Sequence, residues 1–156
     1  MNYLKKNILI AMSLTALGAV AEEPAVFKAI NGEWHLYSST NRALFLDKEK
    51  CAETIKVTAS LEKGLSINST NQNEYYGFEI TAKEFQEQKP DPRSEWGRYK
   101  GKVTISDDEV RITRRLRFTI GGYRETNSIK LSNGHIIVKL ITHSILGHST
   151  SICKYE

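Results

Sequence analysis

Long hydrophobic runs are scarce in this sequence: a single apolar run occupies residues 8–20, and no second one follows. With about 13 residues it is too short for a bilayer core that needs ~20, which disfavours a membrane anchor. A basic start with Lys5 and Lys6 precedes the run, and Ala19-Val20-Ala21 ends it. This pattern is typical of a secretory signal peptide. We predict a signal peptide at residues 1–21 and one domain at residues 22–156. The protein is then exported, periplasmic in a bacterium and otherwise secreted, and does not span the membrane.

Cysteine is rare as well, since Cys51 and Cys153 are the only two in 156 residues. In an oxidising compartment an even pair favours a disulfide. The alternatives are two buried thiols or a redox pair, but there is no Cys-x-x-Cys motif to support the redox pair. We therefore predict a Cys51–Cys153 disulfide.

A strong charge excess and catalytic motifs are also missing. The chain has 22 Lys and Arg against 18 Asp and Glu, so without Lys5 and Lys6 the net charge is +2, too small to indicate a nucleic-acid partner. Neither Gly-x-Ser-x-Gly nor His-Glu-x-x-His occurs. His143 and His148 face each other in a predicted hairpin, but no nearby acidic residue or cysteine completes a metal site. We expect no enzyme, cofactor or metal; the open alternative is an enzyme whose carboxylates are distant in sequence.

The sequence has instead a regular alternation of apolar and polar residues from Thr54 onward. Period-two alternation predicts strands with one buried face and one wet face. A meander of eight to ten such strands hides its edges most directly by closing. We predict an all-β fold, a single antiparallel up-and-down β-barrel; a β-sandwich is the alternative.

Turn residues predict the register of each hairpin. Asp107-Asp108 is expected to pair Ile105 with Val110, and Asn133-Gly134 to pair Leu131 with Ile136. Three further turns give the pairs Ile120–Tyr123 at Gly121-Gly122, Leu61–Leu65 at Glu62-Lys63-Gly64, and Thr142–Ser151 at Leu146-Gly147. A further strand is predicted across Tyr75–Phe85.

Gly32-Glu33-Trp34 is a Gly-x-Trp sequence that lies just ahead of this meander. With it, the chain resembles a lipocalin or a related calycin. The resemblance implies a barrel with an internal binding site, Trp34 as a structural plug at one end beside an arginine, and a disulfide that joins the barrel to the C-terminal segment. No Thr-Asp-Tyr motif and no C-terminal helix are found.

Several polar residues fall on the predicted inner face. Arg114, Glu125 and Asn127 point inward, and a buried charge is costly unless it is paired. One interpretation is an internal Arg114–Glu125 salt bridge. The other is a cavity for a small amphipathic ligand, in which these three residues orient the head group and an apolar wall is formed by Tyr99, Leu116 and Phe118. Our leading hypothesis is such an exported ligand carrier.

The predicted outer face is basic. Paired strands place Arg98 beside Arg117 and Lys100 beside Arg115, although like charges across a ladder are destabilising. A solvated face that protects a sheet edge is one explanation. The alternative function is a protein-binding module, an inhibitor or envelope adaptor, that docks through these residues on an anionic surface or acidic protein.

Overall fold

The computed structural model describes residues 22–44, 51–71, 77–87, 98–117 and 121–156. They form one nine-stranded antiparallel sheet and two short helices. The predicted signal peptide and Phe118 lie outside the described residues. The elements, in chain order, are α1 Ala25–Ile30, β1 Gly32–Leu44, β2 Thr54–Ser60, β3 Gly64–Ser69, β4 Glu79–Ile80, α2 Ala82–Glu87, β5 Arg98–Ile105, β6 Glu109–Arg117, β7 Gly122–Ser132, β8 His135–Ser144 and β9 Gly147–Tyr155.

The sheet is a curled half-barrel whose strand order follows the chain around. Its order is β4-β3-β2-β1-β9-β8-β7-β6-β5, so the first and last strands are neighbours. Within the described residues, β4 and β5 are the two edges. The predicted antiparallel, barrel-like all-β fold is therefore confirmed.

One hydrophobic core fills the inner face of the sheet. Alternate residues of the strands, such as Ile112, Ile129 and Val138, are fully buried there. Helix α1 packs on the same core through Phe27 and Ile30. Burial of each such side chain contributes about 1.5–3 kcal/mol, which makes this core the main source of stability.

The observed hairpin registers show which of the five turn predictions are correct. Ile105 pairs with Val110 and Leu131 with Ile136, as predicted. The other three predictions were wrong by two or four residues. The observed pairs there are Leu116–Tyr123, Ala59–Leu65 and Thr142–Ser149. Each shift is even, so every side chain stays on its predicted face.

Helix α2 corrects a second prediction. The strand predicted to run to Phe85 is limited in the described residues to Glu79–Ile80, and the chain is helical from Ala82. Thr81 is the reason, because its hydroxyl accepts a hydrogen bond from the Glu84 amide (3.2 Å). The Glu84 carboxylate accepts one from the Thr81 amide (2.9 Å). This reciprocal capping box starts a helix.

One disulfide and one side-chain hydrogen bond join separate segments of the chain. Cys51 and Cys153 form the predicted disulfide, with their Cα atoms 5.6 Å apart. Trp34 is partly buried against the core, and its indole N–H donates to the Ile30 carbonyl (2.9 Å). Trp34 therefore joins β1 to the end of α1. Among the described residues, no helix has the length and hydrophobicity required to span a bilayer.

Candidate functional site

A polar cluster interrupts the apolar inner face around Arg114. Its guanidinium contacts Glu125 (Nη1 to Oε1, 3.4 Å) from the neighbouring strand β7. It also donates to both carboxylate oxygens of Glu84 on α2 (Nε to Oε1 and Nη2 to Oε2, 3.2 Å each). A third acceptor is the backbone carbonyl of Glu79. The Arg114–Glu125 contact is the internal salt bridge that the sequence suggested as one interpretation. The contact with Glu84 was not predicted.

The carboxylates of this cluster are themselves hydrogen-bonded. Tyr123 donates its hydroxyl to Glu125 Oε2 (2.9 Å), and Asn127 donates its side-chain amide to Glu125. Glu84 is only 1% exposed and accepts from Thr81 as well as from Arg114. A buried charge needs partners of this kind. The cluster therefore fixes α2 against β6 and β7.

This arrangement bears on the predicted ligand pocket. Arg114 already has two carboxylates and one carbonyl as acceptors, so a ligand carboxylate would have to displace one of them. Tyr99 and Leu116 are directly paired on β5 and β6. The described part of the structure places their backbones together, and the ligand role predicted for these residues stays a prediction.

The backbone register aligns five basic residues across five adjacent strands. Arg115 lies directly opposite Arg124, and Arg124 directly opposite His143. On either side the row continues to Lys100 and to His148. Directly opposite residues share a face of the sheet, and Arg115, Arg124, His143 and His148 are exposed on the outer side. We call these five residues the cation row.

The backbone register also places Arg98 opposite Arg117, one step beyond the cation row. Both basic pairs, Arg98–Arg117 and Lys100–Arg115, are therefore neighbours in the β5–β6 ladder, as predicted. The direct pairing of Arg115 with Arg124 was not predicted, because the expected β6–β7 register was wrong by four residues.

Two outer cations are neutralised near the other end of the sheet. Arg111 is paired with Glu109 (2.9 Å), and Lys130 with Asp108 (3.1 Å). Within the described part of the chain, no carboxylate forms an ion pair with Arg115 or Arg124, both of which are exposed. Arg115 and Arg124 are therefore two cationic side chains that lie directly opposite each other without an ion pair among the described residues.

Charge is divided unevenly along the chain. Residues 98–156 contain eleven Lys and Arg against five Asp and Glu, whereas residues 22–97 contain nine against thirteen. The small net charge thus conceals a basic C-terminal part, which forms β5 to β9, and an acidic remainder. A surface of this kind attracts anions over a Debye length.

The cation row adjoins an open cleft of about 350 Å³ at one end of the sheet. It is lined by Arg115, Gly122, Tyr123, Arg124, His143, Ser144 and Ile145. Two guanidinium groups can each donate two hydrogen bonds to a phosphate, sulfate or carboxylate. The cleft therefore offers two guanidinium groups to an anionic ligand.

The rings of His143 and His148 lie 6.1 Å apart, centroid to centroid, on the outer face. In the described residues no group of three or more His, Cys, Asp or Glu is placed to hold a metal ion. Nothing in this part of the chain therefore converts the histidine pair into a metal centre.

Comparisons with protein-family models, curated proteins and solved structures found no significant match.

Proposed function

We propose that this protein is a non-enzymatic binding module that docks onto an anionic partner through the outer face of β5 to β9. The observation that carries the proposal is the cation row, where Arg115 and Arg124 lie side by side without an ion pair among the described residues. Like charges directly opposite destabilise a ladder. An anionic partner relieves that repulsion when it binds.

Export of the module is part of the proposal. The predicted signal peptide supports it, and a disulfide is compatible with an oxidising compartment. The carrier hypothesis and the lipocalin resemblance stay predictions, and the engagement of Arg114 by Glu84 and Glu125 weighs against that arginine as the anchor of a ligand head group.

The test is binding to fluorescently labelled dextran sulfate, a polyanion with closely spaced charges, measured by anisotropy. Each Lys or Arg held near an anionic surface contributes about 1 kcal/mol. The double variant Arg115→Gln/Arg124→Gln removes two such charges and should therefore weaken binding about 30-fold. Binding should also weaken as salt is raised, because the contacts are exposed.

The matched control is Lys56→Gln/Lys63→Gln, which changes the net charge equally. Both lysines are exposed and lie on or beside β2, away from the cation row. This control should leave affinity within about twofold of the unmodified protein. Equal losses in the two variants would show that net charge alone drives binding, and the proposal would be wrong.

A further inference from the structure

The hairpin that joins β8 to β9 ends in two exposed apolar residues. Ile145 and Leu146 form the two-residue turn between Ser144 and Gly147, and their exposures are 69% and 70%. Turns of this length favour Asn, Asp and Gly. The preceding hairpin follows that rule with Asn133-Gly134. The β8–β9 turn therefore exposes hydrophobic surface that turn formation does not require.

The turn is held in a defined position. The Ser144 hydroxyl accepts a hydrogen bond from the Leu146 amide (3.1 Å) and donates one to the Gly147 carbonyl (3.4 Å). Ile145 packs against Gly121, the residue just before β7, where a Cβ would lie 2.7 Å from Ile145 Cδ1. The two apolar side chains are thus presented on a supported turn.

Basic residues lie beside this apolar tip. His143 and His148 flank it on the outer face, and Arg124 is paired with His143. Leu44, 50% exposed, lies opposite His148 and extends the apolar surface onto β1. The resulting patch, which we call the hairpin-end patch, has an apolar tip and a basic flank.

We infer that the hairpin-end patch binds a bilayer that contains anionic phospholipid, with Ile145 and Leu146 entering the acyl boundary and Arg115 and Arg124 contacting phosphate groups. This inference rests on the proposed function and names its partner. A soluble polyanion satisfies the cations but offers no apolar phase to the tip. An anionic lipid surface offers phosphate groups to the arginines and an apolar phase to the tip. Stable peripheral binding needs two such contributions, one electrostatic and one hydrophobic.

The experiment is co-sedimentation of the whole chain with phosphatidylcholine vesicles that contain 30% or no phosphatidylglycerol. We expect binding only to the anionic vesicles. Ile145→Ser/Leu146→Ser should weaken it at least about tenfold, because burial of one such side chain is worth that much. The same variant should bind dextran sulfate as the unmodified protein does. Every variant has the same N-terminus, so residues 1–21 contribute equally.

Tyr37→Ser is the control for loss of an exposed apolar side chain. Tyr37 is 47% exposed and lies near His135, at the other end of the sheet. This change should leave vesicle binding intact. As a second readout, Leu146→Trp should give fluorescence that anionic vesicles with brominated acyl chains quench, and a lack of quenching contradicts insertion even if the serine variant does not fold.

The outcomes separate the two proposals. Vesicle binding that persists in the serine variant, or binding to dextran sulfate but not to vesicles, overturns the bilayer inference and leaves the docking proposal standing. A protein that binds neither probe overturns both. Loss of vesicle binding in the serine variant, with dextran sulfate binding retained, supports both.

Discussion

Replacement of Arg114 with methionine tests whether the inner polar cluster holds α2 on the sheet. Methionine replaces the apolar stem of the arginine side chain but lacks the guanidinium group. Glu84, whose side chain is 2% exposed, then loses the cation that contacts both of its oxygens. Glu125 loses the same partner but is 21% exposed and keeps Tyr123 and Asn127 as donors. The unpaired charge of Glu84 therefore dominates the loss.

The magnitude follows from this burial. Removal of one partner of a fully buried pair costs about 3–5 kcal/mol, and the partial exposure of Arg114 (16%) and Glu125 reduces that cost. We expect the free energy of unfolding to fall by about 3 kcal/mol, and the melting temperature by roughly 10 °C for a domain of this size. Urea unfolding followed by circular dichroism measures the first quantity.

Arg111→Met provides the matched control, since Arg111 lies on the same strand and also contacts a carboxylate, that of Glu109. Its side chain is 53% exposed, so its loss should cost less than about 1 kcal/mol. If the two variants lose the same small amount of stability, Arg114 is screened by solvent and the reasoning about the inner cluster is wrong.

Three further predictions concern single contacts. Cys51→Ala/Cys153→Ala opens a link between residues 102 apart and should lower the free energy of unfolding by about 4–5 kcal/mol, measured in urea; a loss below ~1 kcal/mol contradicts the chain-entropy argument. Hydrogen bonds from Lys130 and Ser106 lower the pKa of Asp108, so its contribution to stability is present above the unfolded-state pKa and is lost as pH falls through the folded value; an Asp108 pKa at or above 3.8 in an NMR titration would contradict this. Gly64→Ala should destabilise the protein strongly, because its Cβ would meet a backbone carbonyl of β4, and a melting temperature equal to that of the unmodified protein would count against the described β3–β4 contact.

The sequence predicts faces better than it predicts registers. Asn133-Gly134 and the aspartate turn at 107–108 occupy true two-residue turns, so their ladders were predicted correctly. Gly64, Gly122 and Gly147 were assigned to turns but are the first residues of the following strands. The errors are even because period-two alternation fixes which side each residue faces.

The two candidate sites show the same limit. Arg114 was identified from the inward face of its strand, but Glu84 is 30 residues away and on a helix taken for a strand. The sequence contains a signal for this helix, the Thr81-x-x-Glu84 capping box. The apolar alternation of the residues before it favoured a strand instead. Arg115 was predicted beside Lys100, whereas the expected β6–β7 register placed it opposite Ser128 instead of Arg124. A correct prediction of the β6–β7 turn would have placed Arg115 opposite Arg124.

The most direct test of the account is an NMR titration of the isotopically labelled protein with dextran sulfate. We expect the largest amide shifts at Arg115, Arg124, His143 and His148 on the outer face, with residues of β2 and β3 nearly unmoved. Shifts that centre instead on the inner cluster of Glu125 and Asn127, or that spread evenly over the molecule, would contradict a docking function for this face.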